Sequence, residues 1–313
     1  MTKRNLDHGG GIDAAAAQFG GDRSRWIDLS TGINPVPYPL PQLPTDAWTA
    51  LPDRAAQNAL CDAARSFWQA PDSVGLTATP GASAPIAMIP RLAEIGTVAI
   101  PGPTYNEHAA SFAAAGWEIR GSGGSASVHV NPNNPDGRIW CVQDLTGDLR
   151  IIDESFCDVT PQATLMANAS TPGTLILKSF GKFWGLAGLR LGFVIGDPKL
   201  TAQLAQMLGP WPVAGPALSI GTAALRDQDW ANATRARLTT DAARLDGLML
   251  STGATLVGGT SLFRLYDVAD ATTVQTRLAQ SHIWSRTFPY NPRWLRLGLP
   301  APAHWKRLEA ALA

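Results

Sequence analysis

The chain has 313 residues, 25 basic and 25 acidic side chains, and 45% hydrophobic residues, enough for a large domain plus a smaller one. Zero formal charge, with no basic stripe or block of like charge, argues against nucleic acid and acidic membrane surfaces as partners. Cys61, Cys141 and Cys157 are odd in number and widely spaced. They make neither a disulfide framework nor a zinc motif, which points to a reducing cytoplasm.

Met1 to Gly11 is polar and glycine-rich, without the apolar core of a signal peptide. Pro35 to Pro52 reads as an irregular, proline-rich connector. A helix is expected over Ala55–Ala70. An alternation follows: helix Ala84–Glu94, strand Thr97–Ile100, helix Glu107–Ala115, then strands Ala126–Val130, Arg150–Asp153, Thr174–Leu177 and Leu189–Ile195. Short apolar runs among helical segments predict an α/β fold with a mainly parallel sheet covered by helices. The apolar stretch Thr174 to Gly196 contains Lys178, Lys182 and Arg190, whose charges make a membrane span too costly. Pro210-Trp-Pro212 breaks the chain. A helix over Trp230–Leu250 follows. Strands near Ser261–Tyr266 and Trp294–Leu297 then alternate with helices near Ala271–Ser281 and Ala303–Leu312, a smaller α+β C-terminal domain. The expected boundaries are 1–40 for an N-terminal arm, 41–215 for the large domain and 216–313 for the small one.

The richest segment runs Ser179-Phe-Gly-Lys182-Phe-Trp-Gly185-Leu-Ala-Gly188-Leu-Arg190. A lysine in a small-residue loop, with a serine three before it and an arginine eight after, suits an aldehyde cofactor with a phosphate tail, such as pyridoxal 5'-phosphate (PLP). Lysine forms the imine; serine and arginine hold the phosphate. A lone lysine is usually solvated, but Phe180, Phe183 and Trp184 around it suggest burial and a lowered pKa.

Asp153 ends an apolar strand. It is either a helix cap or the carboxylate that keeps a pyridine nitrogen protonated. Asn131-Pro-Asn-Asn134-Pro-Asp-Gly137 is built of turn formers, yet Asn134 there could donate to a phenolic oxygen. After the strand at Ile100, Tyr105 could stack on the ring and His108 could support Asp153; alternatively they are a core tyrosine and a surface histidine. Gly81, Ala82 and Ser83 open a helix and could offer backbone N–H groups to a phosphate. Arg286 and Arg296 lie on apolar strands, either snorkelling or capturing carboxylate or phosphate. The strand ends carrying Asn134, Asp153 and Ser179 to Lys182 are where open α/β sheets bind ligands.

Together these residues resemble the class I/II aminotransferase superfamily of PLP fold type I, from about Ile27 to Arg296. The resemblance implies that Lys182 is the Schiff-base lysine, and that Ser179, Arg190 and the amides of Gly81, Ala82 and Ser83 hold the cofactor phosphate. It implies further that Asp153 pairs with the pyridine nitrogen, Asn134 with the phenolic oxygen and Arg296 with the substrate carboxylate. Lys182, Asp153 and Tyr105 are then the catalytic residues, with His108 among the cofactor contacts.

His8-Gly-Gly-Gly-Ile12 and Asp28-Leu-Ser-Thr-Gly-Ile-Asn34-Pro35 are similar to threonine-phosphate decarboxylases of the cobalamin pathway. That likeness implies an N-terminal lid and a substrate site of His8, Gly9, Gly32, Asn34, Asn134, Arg286 and Arg296. It also implies a homodimer, a phosphorylated amino acid as substrate, and CO2 with an aminopropanol phosphate as products. Phe156, in place of a common tyrosine, fits as well. The chain departs from the pattern at Asp13, where arginine is usual. It departs again at Gly32 in place of asparagine, Leu51 in place of a tyrosine, and Asp136 in place of threonine. An aminotransferase of a phosphorylated substrate such as histidinol phosphate would use the same residues. A catalytically silent scaffold is opposed by the intact Lys182, Asp153 and Arg190.

Overall fold

The computed structural model describes residues 8–313. In chain order its strands are β1 (Ile27–Asp28), β2 (Gly75–Thr79), β3 (Thr97–Ala99), β4 (Glu118–Arg120), β5 (Ala126–Val130), β6 (Leu149–Asp153), β7 (Thr174–Ser179), β8 (Gly192–Gly196), β9 (Thr255–Thr260), β10 (Phe263–Asp267), β11 (Ile283–Trp284), β12 (Arg286–Phe288) and β13 (Asn291–Gly298). The helices are α1 (Ile12–Phe19), α2 (Asp46–Thr49), α3 (Arg54–Trp68), α4 (Ser83–Met88), α5 (Asn106–Ala114), α6 (Pro198–Leu208), α7 (Gly215–Arg226), α8 (Gln228–Ser251), α9 (Ala271–Gln280) and α10 (Trp305–Leu312). They form two units, one of residues 37–134 and 138–232, the other of 8–36, 135–137 and 233–313 among the described residues.

The larger unit is built on a seven-stranded sheet in the order β2-β8-β7-β6-β5-β3-β4. From β4 to β7 all neighbours are parallel, while β8 runs antiparallel to both β7 and β2. β5 and β8 are buried along their whole length, as strands covered on both faces should be. Val128, Ile151, Leu175, Leu177 and Val194 join Ile86, Ile89 and Phe112 from the helical layer in one apolar cluster. The registers set Val130 beside Asp153, Asp153 beside Leu177 and Ser179 beside Gly192. The chemistry-bearing ends of three strands are thereby brought level.

Several boundaries differ from expectation, and two of the differences have a plain cause. The helix expected over Ala84–Glu94 stops at Met88 and becomes a 3-10 turn through Ile89–Arg91, because Pro90 has no N–H to continue the ladder. The strand expected from Leu189 begins at Gly192, since Arg190 takes a left-handed φ of 53° and turns the chain first. Helix α6 carries a start signal visible in the sequence: the Asp197 carboxylate accepts from the Lys199 and Leu200 amides at 2.8 and 3.4 Å, with Pro198 as first helical residue.

The smaller unit holds an antiparallel sheet ordered β12-β13-β10-β9, plus a parallel pair β1-β11. Ile12, Ala15, Trp26 and Ala279 form a core beside it. Among the described residues no helix is long and apolar enough to cross a membrane.

Candidate active-site residues

Asp153 closes β6 and is buried, 2% exposed. Burial by itself would push its carboxyl up. The His108 ring, with Nε2 2.9 Å from Oδ2, and two hydrogen bonds from the Ser155 amide and hydroxyl to Oδ1 outweigh that, and hold the group below the usual carboxylate range. The local bonds from Ser155 and the long-range bond from His108 use different oxygens, and no helix begins at Asp153 for it to cap. His108 sits in the first turn of α5, buried, and meets the Tyr105 ring edge to face at 6.0 Å. Burial first, then the charges of Asp153 and Glu107, push the Tyr105 hydroxyl up to about 12, against a lowering by Arg190. Tyr105 therefore stays a neutral phenol through the working pH range.

Lys182 lies in the turn after β7, half-buried, its Nζ 5.3 Å from the centroid of the Phe156 ring. The aromatic residues around it in sequence serve a different end from the one expected: Trp184 is stacked between Phe180 and Trp230, and Phe183 meets both tryptophans edge to face. They pack against one another and against Trp230.

Ser179 Oγ accepts from the Gly181 amide at 3.3 Å, and Arg190 Nη1 donates to the Ala187 carbonyl at 2.9 Å. Gly81 has φ +77°, and a Cβ there would lie 2.5 Å from Arg190 Nη2; a Cβ at Gly192 would lie 2.7 Å from the Ala82 nitrogen. Two missing Cβ atoms thus open a cradle of backbone around Gly81, Ala82 and Ser83, with a guanidinium at its rim. The asparagine loop that follows β5 is pinned by its own side chains. Asn131 donates to the Ala163 carbonyl and accepts from the Trp140 amide; Asn133 donates to Pro103 and accepts from Thr104. That frame carries Asn134. An ionised carboxylate, a lysine, a tyrosine beside the carboxylate, and a glycine cradle with an arginine form a donor set that fits PLP.

In the smaller unit Arg286 and Arg296 are register partners across β12 and β13. Arg296, 5% exposed, donates to the Ser30 carbonyl and lies 5.2 Å over the Phe263 ring. Arg286 donates to the His8 carbonyl. The arm is seated further by the Gly10 amide on Ser30 Oγ at 2.6 Å and by Trp284 Nε1 on the Gly10 carbonyl at 3.0 Å. Asn34 is buried; its Oδ1 accepts from the Val36 amide at 3.0 Å and from Arg237 at 2.6 Å. Because both partners are donors, the oxygen must face them and the amide N–H2 points the other way. Gly32 is buried in the same segment. Asp13 pairs with exposed Arg23, and Leu51 is 67% exposed.

Sequence reasoning missed Ser155, Arg237 and the buried trio Glu154, Lys178 and Asp158. Glu154 and Lys178 flank Asp153 and Ser179 directly, and a charge at a strand position otherwise filled by Leu and Ile was the signal available.

Residues 125–312 match the family model for aminotransferase class I and II, and the chain belongs to that family. Over 98% of its length it is 42% identical to a threonine-phosphate decarboxylase from a Sinorhizobium species, covering 97% of that protein. A threonine-phosphate decarboxylase from Pseudomonas aeruginosa is 40% identical, with the same coverage of both chains. Histidinol-phosphate aminotransferase from Sinorhizobium meliloti, solved in complex with pyridoxal-5'-phosphate, shares the fold with a TM-score of 0.82 at 17% identity, over 100% of this chain and 96% of that one.

Proposed function

We propose that the protein is a PLP-dependent decarboxylase that converts L-threonine O-3-phosphate to (R)-1-amino-2-propanol O-2-phosphate and CO2, supplying the aminopropanol linker of cobalamin. The carrying observation is the facing pair Arg286 and Arg296. Threonine phosphate has two anionic groups, a carboxylate and a phosphate, and two guanidinium groups on one sheet face suit them. Histidinol phosphate has a phosphate and no carboxylate. The near full-length likeness to threonine-phosphate decarboxylases supports the same reading.

Lys182 would hold the cofactor through Nζ. Ser179, Arg190 and the Gly81, Ala82 and Ser83 amides take the cofactor phosphate. When bound, PLP supplies an electron sink for the pair left behind by departing CO2. Asp153, kept ionised by His108 and Ser155, would hold a proton on the ring nitrogen and so keep the sink open. Asn134 would donate toward the phenolic oxygen, and the neutral Tyr105 would cover the ring. Arg296 orients the carboxylate; Arg286, with His8, Gly9, Gly32 and Asn34, binds the phosphate end, and the arm 8–11 shields it from water. The α-carbon exchanges its carboxylate for a proton.

The protein acts as a cytoplasmic homodimer. The connector offers Leu40, Trp48 and Leu51 at 66, 70 and 67% exposure, an apolar surface for a second copy. Sedimentation at micromolar concentration should give twice the chain mass.

The test is turnover of threonine phosphate, with CO2 released and no 2-oxo acid required. Acceptor-dependent amino transfer from histidinol phosphate, with no CO2 from threonine phosphate, would overturn the assignment in favour of an aminotransferase.

A further inference from the structure

Three charged side chains lie buried behind the Lys182 loop: Glu154, Asp158 and Lys178 are 1, 5 and 2% exposed. Lys178 Nζ is 2.7 Å from Glu154 Oε2 and 3.6 Å from Asp158 Oδ1. Glu154 also accepts from Thr164 Oγ1 and the Leu165 amide, each at 2.6 Å. Asp158 accepts from two indoles, Trp68 Nε1 at 2.8 Å on Oδ1 and Trp184 Nε1 at 3.2 Å on Oδ2. Burying such a set costs several kcal/mol of desolvation, and an apolar core of the same volume would often be at least as stable. Geometry is what the set can contribute.

Trp184 is two residues past Lys182. Its ring is stacked between Phe180 at 5.1 Å and Trp230 at 5.3 Å, with interplanar angles of 11° and 13°. Stacked faces resist tilting but slide and turn in plane at little cost, so the stack alone does not fix the loop. The Tyr38, Phe67 and Phe183 rings meet it at an angle, and the bond from Trp184 Nε1 to Asp158 adds the one directional polar constraint on its in-plane angle. Asp158 is in turn held by Lys178, which precedes Ser179, and through it by Glu154, which follows Asp153. Within the loop the Gly185 amide on Lys182 O and the Leu186 amide on Phe180 O pass that constraint to the lysine.

We infer that Asp158 is a positioning residue for the PLP lysine: by fixing Trp184 in its stack, it fixes Lys182 against the strand ends that carry Asp153 and Ser179. This rests on the reading of Lys182 as the cofactor lysine. The device acts through another residue and touches no substrate.

The experiment compares Trp184→Phe with Trp68→Phe in the purified holoenzyme. Each removes one indole N–H from the same carboxylate, and phenylalanine in place of Trp184 keeps the stack. The readouts are the rate of cofactor loss to a competing apoenzyme and the pH midpoint of the bound cofactor's visible band. Trp184→Phe should release cofactor about tenfold faster, the worth of one hydrogen bond to a charged group, and should shift the midpoint. Trp68→Phe should stay within about twofold of wild type on release, whatever it does to thermal stability. Asp158→Asn, which keeps the shape and loses the charge, should behave like Trp184→Phe. Equal release from the two tryptophan variants, or wild-type release and midpoint from Trp184→Phe, overturns the inference. Lys182→Ala serves as the control. If it keeps the wild-type visible band, the reading of Lys182 falls first and this inference with it; if the band is lost, failure of the tryptophan comparison falls on Asp158 alone.

Discussion

Arg286 and Arg296 stand directly opposite one another in the antiparallel pair β12-β13, so both side chains leave the same face of the sheet. Like charges so placed repel each other, and each is partly satisfied by a backbone carbonyl, His8 for Arg286 and Ser30 for Arg296. In the proposed function the anionic groups of the substrate would complete this pair.

Removing one charge should therefore separate binding from stability. Arg296→Met should lower kcat/KM for threonine phosphate by about 100-fold or more, the loss of a bidentate charge-assisted contact. The melting temperature should hold or rise slightly as the repulsion goes. Steady-state kinetics and calorimetry check this, and a melting temperature that falls in proportion to activity would mark Arg296 as structural.

Asp153 carries a second prediction, about pH. Its carboxyl is held below its ordinary value near 4. A depressed acid contributes stability that is fully present above the unfolded pKa and lost as pH falls through the folded one. Asp153 should thus add no slope to stability or turnover between about pH 5 and pH 9, and its contribution should fade below about pH 4. Asp153→Asn should cost about 100- to 1000-fold in kcat, as loss of one preorganised electrostatic partner does, and should remove this acid limb from the stability profile.

Tyr105 titrates at the other end. With its hydroxyl pushed up to about 12, ultraviolet titration should find it still neutral at pH 10.5, where an ordinary tyrosine with a pKa near 10 is mostly ionised. Tyr105→Phe keeps the ring beside His108 and should retain cofactor within about fivefold, while Tyr105→Ala should lose it more readily, since ring contact is worth about 1 kcal/mol.

Much of the larger unit was legible because strands buried on both faces read as apolar runs; Ala126–Val130 is found with the expected limits. The cofactor candidates were legible for a related reason. Asp153 and Ser179 end such runs, and parallel strands bring their ends level. What stayed hidden depends on partners distant in sequence. Glu154, Lys178 and Asp158 are ordinary charges until β6 and β7 pair, and nothing local tells Arg237 that it meets Asn34, 203 residues away. β2 (Gly-Leu-Thr-Ala-Thr) and β9 (Thr-Leu-Val-Gly-Gly-Thr) were missed because small residues outnumber bulky ones in them and no period shows. The aromatics around Lys182 in sequence suggested its burial, whereas Lys182 is half-buried and Trp184 and Phe180 stack with Trp230.

The arm supplies the last prediction. Gly9 lies where a Cβ would approach the Ser30 carbonyl oxygen to 2.4 Å, a backbone atom that cannot swing aside, and Ser30 is itself fixed by its amide and hydroxyl on Asp28. Gly9→Ala must therefore lift the arm off Ser30, breaking the bond from the Gly10 amide and drawing His8 away from Arg286. The fold below the arm does not depend on those contacts, so the melting temperature should change by less than about 2 °C, the scale of a few tenths of a kcal/mol. KM for threonine phosphate should rise about tenfold, the worth of one lost hydrogen bond to a charged group, while kcat changes little, because in the proposed function the arm would meet the phosphate end and not the bond that breaks. Hydrogen exchange should report faster exchange at the Gly10 amide in the variant. An unchanged KM with faster exchange there would show that the arm seats on Ser30 without serving the substrate.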